Sequence, residues 1–177
     1  DHEFPPEYAA GFEIDGFIVE PPIYLDWLTS RLVDQGVTIT TNAVTSLEDL
    51  EADVIVNCAG SAARDLVGDD TMFPIRGQVV AVANPGINEG VSDESDADRV
   101  AYIYPRSNEV ILGGARQIGN EQMVPDDDLT ARILSDGARL DPRVSDVEVL
   151  DVRVGLRPGR PEVRVEAGVL GDGRPVV

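Results

Sequence analysis

Lysine is absent from this 177-residue chain: all 14 basic residues are arginines, set against 33 aspartates and glutamates. The formal net charge of −19 disfavours polyanionic partners, because binding nucleic acid or an anionic membrane rests on neutralising phosphates with Lys and Arg. The acids are scattered along the chain instead of gathered in a tail. That pattern favours a hydrated, salt-adapted surface over an acidic docking tract, so a salt-rich source is expected. Histidine occurs once, at His2, which argues against a Ser-His-Asp or Cys-His arrangement and a histidine-based metal site. The single cysteine, Cys58, has no partner for an internal disulfide. Within Val54-Ile55-Val56-Asn57-Cys58 it reads as a small buried hydrophobe. No apolar run approaches the length of a membrane span, and no charged-then-apolar leader opens the chain. A soluble, cytoplasmic globular segment is expected, and its chemistry has to work without a histidine base.

Periodicity divides the chain. Tyr24, Leu25, Leu28, Leu32 and Val33 recur at helical spacing and Gly36 supplies a stop, which predicts a helix over Pro22–Gln35. Val37–Thr40 alternates like a short strand. Asp53–Cys58 is apolar enough for a buried parallel strand, followed by a tight small-residue turn at Ala59-Gly60-Ser61. This order matches the tail of a nucleotide-binding α/β unit, without the strand and glycine-rich loop that would begin one. Beyond Arg76-Gly77-Gln78 come short β-branched runs at 78–83, 101–104, 109–112, 147–154 and 162–165, predicting a mostly antiparallel sheet. A helix over Asp127–Leu140 interrupts it, with acids in its first turn and Ile133 and Leu134 on its buried face. The acidic stretch Asn88–Asp98 reads as a loop.

Two segments carry chemistry. Val154-Gly155-Leu156-Arg157-Pro158 is a strand-like run ending on an arginine that prolines follow at 158 and 161, and Tyr102-Ile103-Tyr104-Pro105 lies upstream. A rigid guanidinium fork suits a carboxylate gripped through two parallel hydrogen bonds. With a tyrosine hydroxyl beside it, the pair forms a receptor for the α-carboxylate of an amino acid. Tyr104 is read as scaffold on the face opposite Tyr102, and Trp27 as helix packing.

The chain resembles the central part of the D-amino-acid oxidase family, in the branch that includes D-aspartate oxidases. The resemblance rests on Tyr24-Leu25-Asp26-Trp27-Leu28, Ala52–Gly60, Arg76-Gly77-Gln78, Tyr102-Ile103-Tyr104-Pro105, Leu112-Gly113-Gly114 and Val154-Gly155-Leu156-Arg157-Pro158, all in the family's order. It implies an α/β (α+β) fold: an FAD-binding α/β portion at 1–75, an antiparallel-sheet substrate domain at 76–165, and a return toward the FAD-binding part at 166–177. The family's glycine-rich fingerprint is expected upstream of Asp1 and its closing glycine-rich segment after Val177.

The resemblance makes Arg157 and Tyr102 the α-carboxylate binders. Arg116 becomes the arginine that favours a side-chain carboxylate, and Val44, Ala59 and Gly60 the residues whose backbone lies against FAD. It implies no catalytic side chain, hydride transfer being the flavin's work, and no metal. The expected activity is oxidation of a D-amino acid to a 2-oxo acid, ammonia and hydrogen peroxide. Two departures stand out. The position of a second active-site tyrosine is Asp98, and a second substrate arginine has only Arg99 as a stand-in. The rival readings are a glycine- or sarcosine-oxidase type of flavoprotein, or a non-catalytic acidic binding module with no flavin contacts.

Overall fold

The computed structural model describes residues 5–96 and 99–177; His2 and Asp98 lie outside the described residues. In chain order its elements are helices α1 (Pro21–Asp34) and α2 (Ala63–Val67), strands β1 (Phe73–Val82), β2 (Val91–Asp93), β3 (Ala101–Pro105), β4 (Val110–Gly113) and β5 (Gln117–Ile118), helix α3 (Asp127–Leu140), and strands β6 (Val149–Gly159), β7 (Gly168–Val169) and β8 (Pro175–Val176). Short 3₁₀ turns occupy Leu47–Asp49, Gly60–Ala62 and Pro142–Val144.

Strand β1 organises the main sheet. Along one edge it pairs with β6 from Phe73↔Gly159 to Val82↔Val149. Its other edge is shared by β4 and β5, with β3 beyond β4 and β2 beyond β3. Every pairing is antiparallel. Because alternate residues point to opposite faces, this register sorts the side chains. Val80, Val82, Ala101, Ile103, Val110 and Leu112 turn toward α3 and form the core with Leu129, Ile133, Leu140 and Val144. Burying each such side chain contributes about 1.5–3 kcal/mol. The other face carries Gly77, Val79, Tyr102, Tyr104, Gly113, Arg153, Gly155 and Arg157, as the cross-strand pairs require.

The sequence signals for α3 were strong, and the helix spans the predicted residues. The Asp126 carboxylate accepts from the Leu129 N–H at 2.9 Å as N-cap, Asp127 and Asp128 lie in the first turn, and Arg139 lies in the last. Its buried apolar positions, Leu129, Ile133 and Leu140, follow helical spacing. A Cβ on Gly137 would lie 3.1 Å from a Leu112 methyl, so glycine lets the helix settle close to β4.

Below α3 lies a buried polar hub. Arg76 and Gln78 both point to the α3 side and are almost fully buried. Arg76 Nε donates to the Gln122 carbonyl at 2.6 Å, Nη1 to Gln117 Oε1 at 2.8 Å, and Nη2 to Gln78 Oε1 at 2.8 Å and the Val124 carbonyl at 2.7 Å. Gln78 Nε2 donates to the Asp126 carbonyl at 2.9 Å and to Thr130 Oγ1 at 2.8 Å, while Gln78 Oε1 accepts the Asp126 N–H at 2.9 Å. Two residues of β1 thereby hold the loop before α3 and the start of the helix.

Several expectations on the N-terminal side are corrected. Helix α1 forms at Pro21–Asp34, and Gly36 (φ 85°) ends it with Gly36 N–H donating to Val33 and Val37 N–H to Leu32. None of its residues is buried: Trp27 is 56% exposed and stacks on Tyr24 at 5.9 Å instead of packing in a core. Val37–Thr40 forms no strand. Asp53–Cys58 makes only one bridge, Ile55 parallel to Val176, with Asn57 N–H donating to the Val177 carbonyl at 2.7 Å. Cys58 is exposed. These runs have strand composition, but a strand exists only against a ladder partner, and the described residues supply one only through β8. Glu162–Val165 also forms no strand, having no pairing neighbour, whereas the acidic stretch does contribute one, β2.

Gln78→Leu in the full-length protein should lower the unfolding free energy by about 2–4 kcal/mol, since the Asp126 N–H and one Arg76 N–H lose a buried acceptor. Urea unfolding measures it, and a change below about 0.5 kcal/mol would show that the hub does not hold α3 in place.

Candidate active site

The open face of the sheet brings Arg157 and Tyr102 toward each other. Arg157 lies opposite Ile75 near the end of β6, and Tyr102 lies opposite Gly113 on β3. The Arg157 guanidinium reaches back over Gly77, where a Cβ would stand 2.9 Å from both Nη atoms. Its one hydrogen bond among the described residues is a long donation from Nη1 to the Ala115 carbonyl at 3.4 Å. The Tyr102 ring lies across Gly113 and Gly114, where an added Cβ would come within 2.1 Å and 2.9 Å of ring atoms.

Among the described residues, ion pairs engage eight of the 14 arginines. Arg99, Arg106, Arg139, Arg143, Arg153, Arg160, Arg164 and Arg174 all have a carboxylate within ion-pair distance. Arg157 has none among the described residues. Arg153, four residues earlier on the same face of β6, is the contrast: its two Nη atoms each donate to a Glu109 oxygen at 2.7 Å. That fork holds the Glu109 carboxyl below its usual range, with Arg106 adding to the effect.

Tyr102 is half-buried, and burial pushes its phenol above the ordinary value of 10.0, against the pull of the Arg157 charge. It therefore keeps its proton at neutral pH and can donate to an anion held by Arg157. Tyr104 corrects the expectation made for it. Residues two apart on a strand share a face, and its ring stacks on Tyr102 with centroids 4.7 Å apart and planes 23° apart. Gly90 gives it room, a Cβ there falling 3.0 Å from Tyr104 Cδ1. The repeat of two was legible in Tyr102-Ile103-Tyr104; its parity was misassigned. The glycine beneath Arg157 was visible only as part of Arg76-Gly77-Gln78, with no role attached.

The other candidates are placed as follows. Arg116 is exposed just before β5, next to Ala115, with no hydrogen bond or ion pair among the described residues. Arg99 does not reach the open face: its Nε donates to both oxygens of buried Asp136 on α3, at 3.1 and 3.2 Å. Asp98 lies outside the described residues. Val44 is exposed in an irregular segment after α1, and no hydrogen bond joins it to Ala59 or Gly60. The Ala59 N–H donates to Asn57 Oδ1 at 3.2 Å, and Gly60 turns through φ 59° with nothing within 4 Å of where a Cβ would be. This uncovered, side-chain-free backbone is the kind of surface a large planar cofactor can approach.

Comparison with known proteins agrees with this architecture. Among solved structures the fold matches glycine oxidase from Geobacillus kaustophilus (TM-score 0.59, 22% identity, covering 71% of this chain and 35% of that one). It also matches L-proline dehydrogenase from P. horikoshii (TM-score 0.55, 16% identity, covering 70% and 36%). These likenesses show the fold alone, a mixed helix and antiparallel-sheet arrangement. The chain belongs to the FAD dependent oxidoreductase family, which it matches over residues 2–176. Its curated relatives include D-amino-acid oxidase of Rubrobacter xylanophilus, 42% identical over all of this chain and 55% of the relative. D-aspartate oxidase of Homo sapiens is 37% identical over 97% of this chain and 51% of the relative. The chain thus spans about half the length of the curated relatives it matches.

Titrating the full-length protein should place the Tyr102 phenol above pH 10. Since folding raises its pKa, the stability linked to its proton is present below about pH 10 and is lost as pH rises through the folded value. The tyrosinate absorbance of wild type minus that of Tyr102→Phe isolates this group, and a midpoint at or below 10 would contradict the assignment.

Proposed function

We propose that the protein to which this chain belongs is an FAD-dependent oxidase of D-amino acids, and that the open face of the sheet is its substrate site. The observation that carries this reading is the Arg157 guanidinium, seated on the sheet beside a protonated tyrosine and without a carboxylate partner among the described residues. The relatives named D-amino-acid oxidase and D-aspartate oxidase support it.

Arg157 takes the α-carboxylate through its guanidinium fork, and the Tyr102 hydroxyl donates a further hydrogen bond. Two anchors fix the rotation of the substrate and hence the direction of its Cα–H bond, which is the orienting contribution a protein makes to such a reaction. Tyr104, stacked on Tyr102, restricts where that hydroxyl can point. The backbone at Val44, Ala59 and Gly60 would hold FAD, with residues 1–75 and 166–177 on the cofactor side and 76–165 on the substrate side. Bound FAD would supply the acceptor for the two electrons and the Cα hydrogen. The imino acid product hydrolyses to a 2-oxo acid and ammonia, while oxygen is reduced to hydrogen peroxide. No histidine is needed for these tasks.

Substrate choice follows from Arg116. Its lack of an ion partner among the described residues and its place next to Ala115, whose carbonyl accepts from Arg157, support a role in binding a side-chain carboxylate and thus a preference for D-aspartate or D-glutamate. A glycine-oxidase type of activity is the alternative, resting on a fold likeness at 22% identity. The charge of −19 without lysine supports a salt-rich setting.

In the complete FAD-loaded enzyme, Arg157→Lys should lower kcat/KM by about ten- to a hundredfold, because an ammonium cannot reproduce the planar two-point contact and one charge-assisted bond is worth about 1.5–3 kcal/mol. Steady-state kinetics near wild type would remove Arg157 from the site. Arg116→Leu should collapse the ratio of kcat/KM for D-aspartate over D-alanine by about thirtyfold or more, a loss of about 2–4 kcal/mol, with D-alanine little changed. Ratios agreeing within a factor of about two would leave the oxidase class standing without the D-aspartate preference.

A further inference from the structure

We infer that Gly77 is a positioning residue for the carboxylate site: by carrying no side chain, it seats the Arg157 guanidinium on the sheet. The inference rests on the reading of Arg157 given above.

Conformational freedom does not explain this glycine. Gly77 sits within β1 opposite Gly155, and its φ lies outside the left-handed region, so any residue could adopt its backbone. Space explains it. The three heavy atoms nearest to a Cβ at this position all belong to Arg157: Nη1 and Nη2 at 2.9 Å and Cζ at 3.1 Å. The first two separations are closer than carbon and nitrogen tolerate without a shift. The group that would move is the far end of a flexible side chain, not the sheet. Gly113 is different, because a Cβ there would come within 2.1 Å of a Tyr102 ring that is itself stacked on Tyr104.

The floor matters because little else fixes the guanidinium. Its donation to Ala115 is 3.4 Å long and correspondingly weak, and no carboxylate among the described residues anchors it. Other arginines in this chain are oriented by strong acceptors, as Arg153 is by Glu109, but such a partner would occupy the very donors that a substrate must use. A glycine floor limits the orientation while leaving the donors free. A methyl group on that floor would lift the fork away from its seat, and a displacement of about 1 Å in a positioning group can cost about a hundredfold in rate.

The test uses the full-length FAD-loaded enzyme and a double-mutant cycle. Gly77→Ala should lower kcat/KM for D-alanine at least about tenfold. In an Arg157→Leu background the same substitution should change it by less than about twofold, since the Cβ then meets no guanidinium. A second readout uses propionate, which offers a carboxylate without an amine. It should raise the thermal midpoint of wild type and fail to do so in Gly77→Ala. If Gly77→Ala itself lowers the ligand-free midpoint, adding Arg157→Leu should restore it. Wild-type kinetics in Gly77→Ala, equal losses in both backgrounds, or no restoration would each overturn the inference. An Arg157→Leu enzyme with wild-type kcat/KM would instead overturn the carboxylate assignment on which it depends.

Discussion

The architecture depends on a cation buried without a counter-ion among the described residues. Arg76 gives up its hydration on β1 and recovers it from carbonyl and amide oxygens of residues 78, 117, 122 and 124. Burying a charge is tolerable only when its hydrogen-bonding capacity is filled, so the acceptors must be in place for the sheet to be stable. Gln78 extends the same requirement to the first turn of α3. The loop that precedes the helix is therefore specified from below, by β1, and not by its own composition. Because side chains alternate, the face of β1 opposite this hub receives Gly77, and the register that satisfies Arg76 also sets the floor under Arg157.

How much was legible depended on whether a signal was local. Helix α3 was readable because its cap, acidic first turn and buried positions all lie within it. Strands β1, β3, β4 and β6 were found with shifted ends, since alternation marks a strand while its partners set its length. Val37–Thr40, most of Asp53–Cys58 and Glu162–Val165 had the same composition and formed no ladder, because a strand is a property of a pair. The same holds for α1, whose helical period is real and whose apolar side chains remain exposed. The hub had no signature at all: its acceptors on the loop lie more than 40 residues from Arg76.

The candidate site was legible in its chemistry and less so in its geometry. Arginine and tyrosine suggested a carboxylate receptor by residue type, and the structure gathers them on one face through cross-strand register. What sequence could not supply was the depth dimension. That Arg157 lies over Gly77, that Tyr102 lies over Gly113, and that Arg99 is engaged by Asp136 on the far face are consequences of which strand lies beside which. Tyr104 fell on the wrong face through an error of parity, which the strand's repeat of two was sufficient to avoid.

The Arg153–Glu109 pair carries a consequence for selectivity. Arg153 and Arg157 share one face of one strand, their Cα atoms about 13 Å apart at the usual rise per residue. Two bare guanidinium groups so placed would offer an anion two berths, one of them remote from Tyr102. With Glu109 taking both Nη atoms of Arg153 and Asp151 taking its Nε, the decoy berth would be closed. In a protein so rich in acids, two carboxylates would thus silence a competitor, and under the proposed reading the address at which an anion docks is written as much by Glu109 and Asp151 as by Arg157.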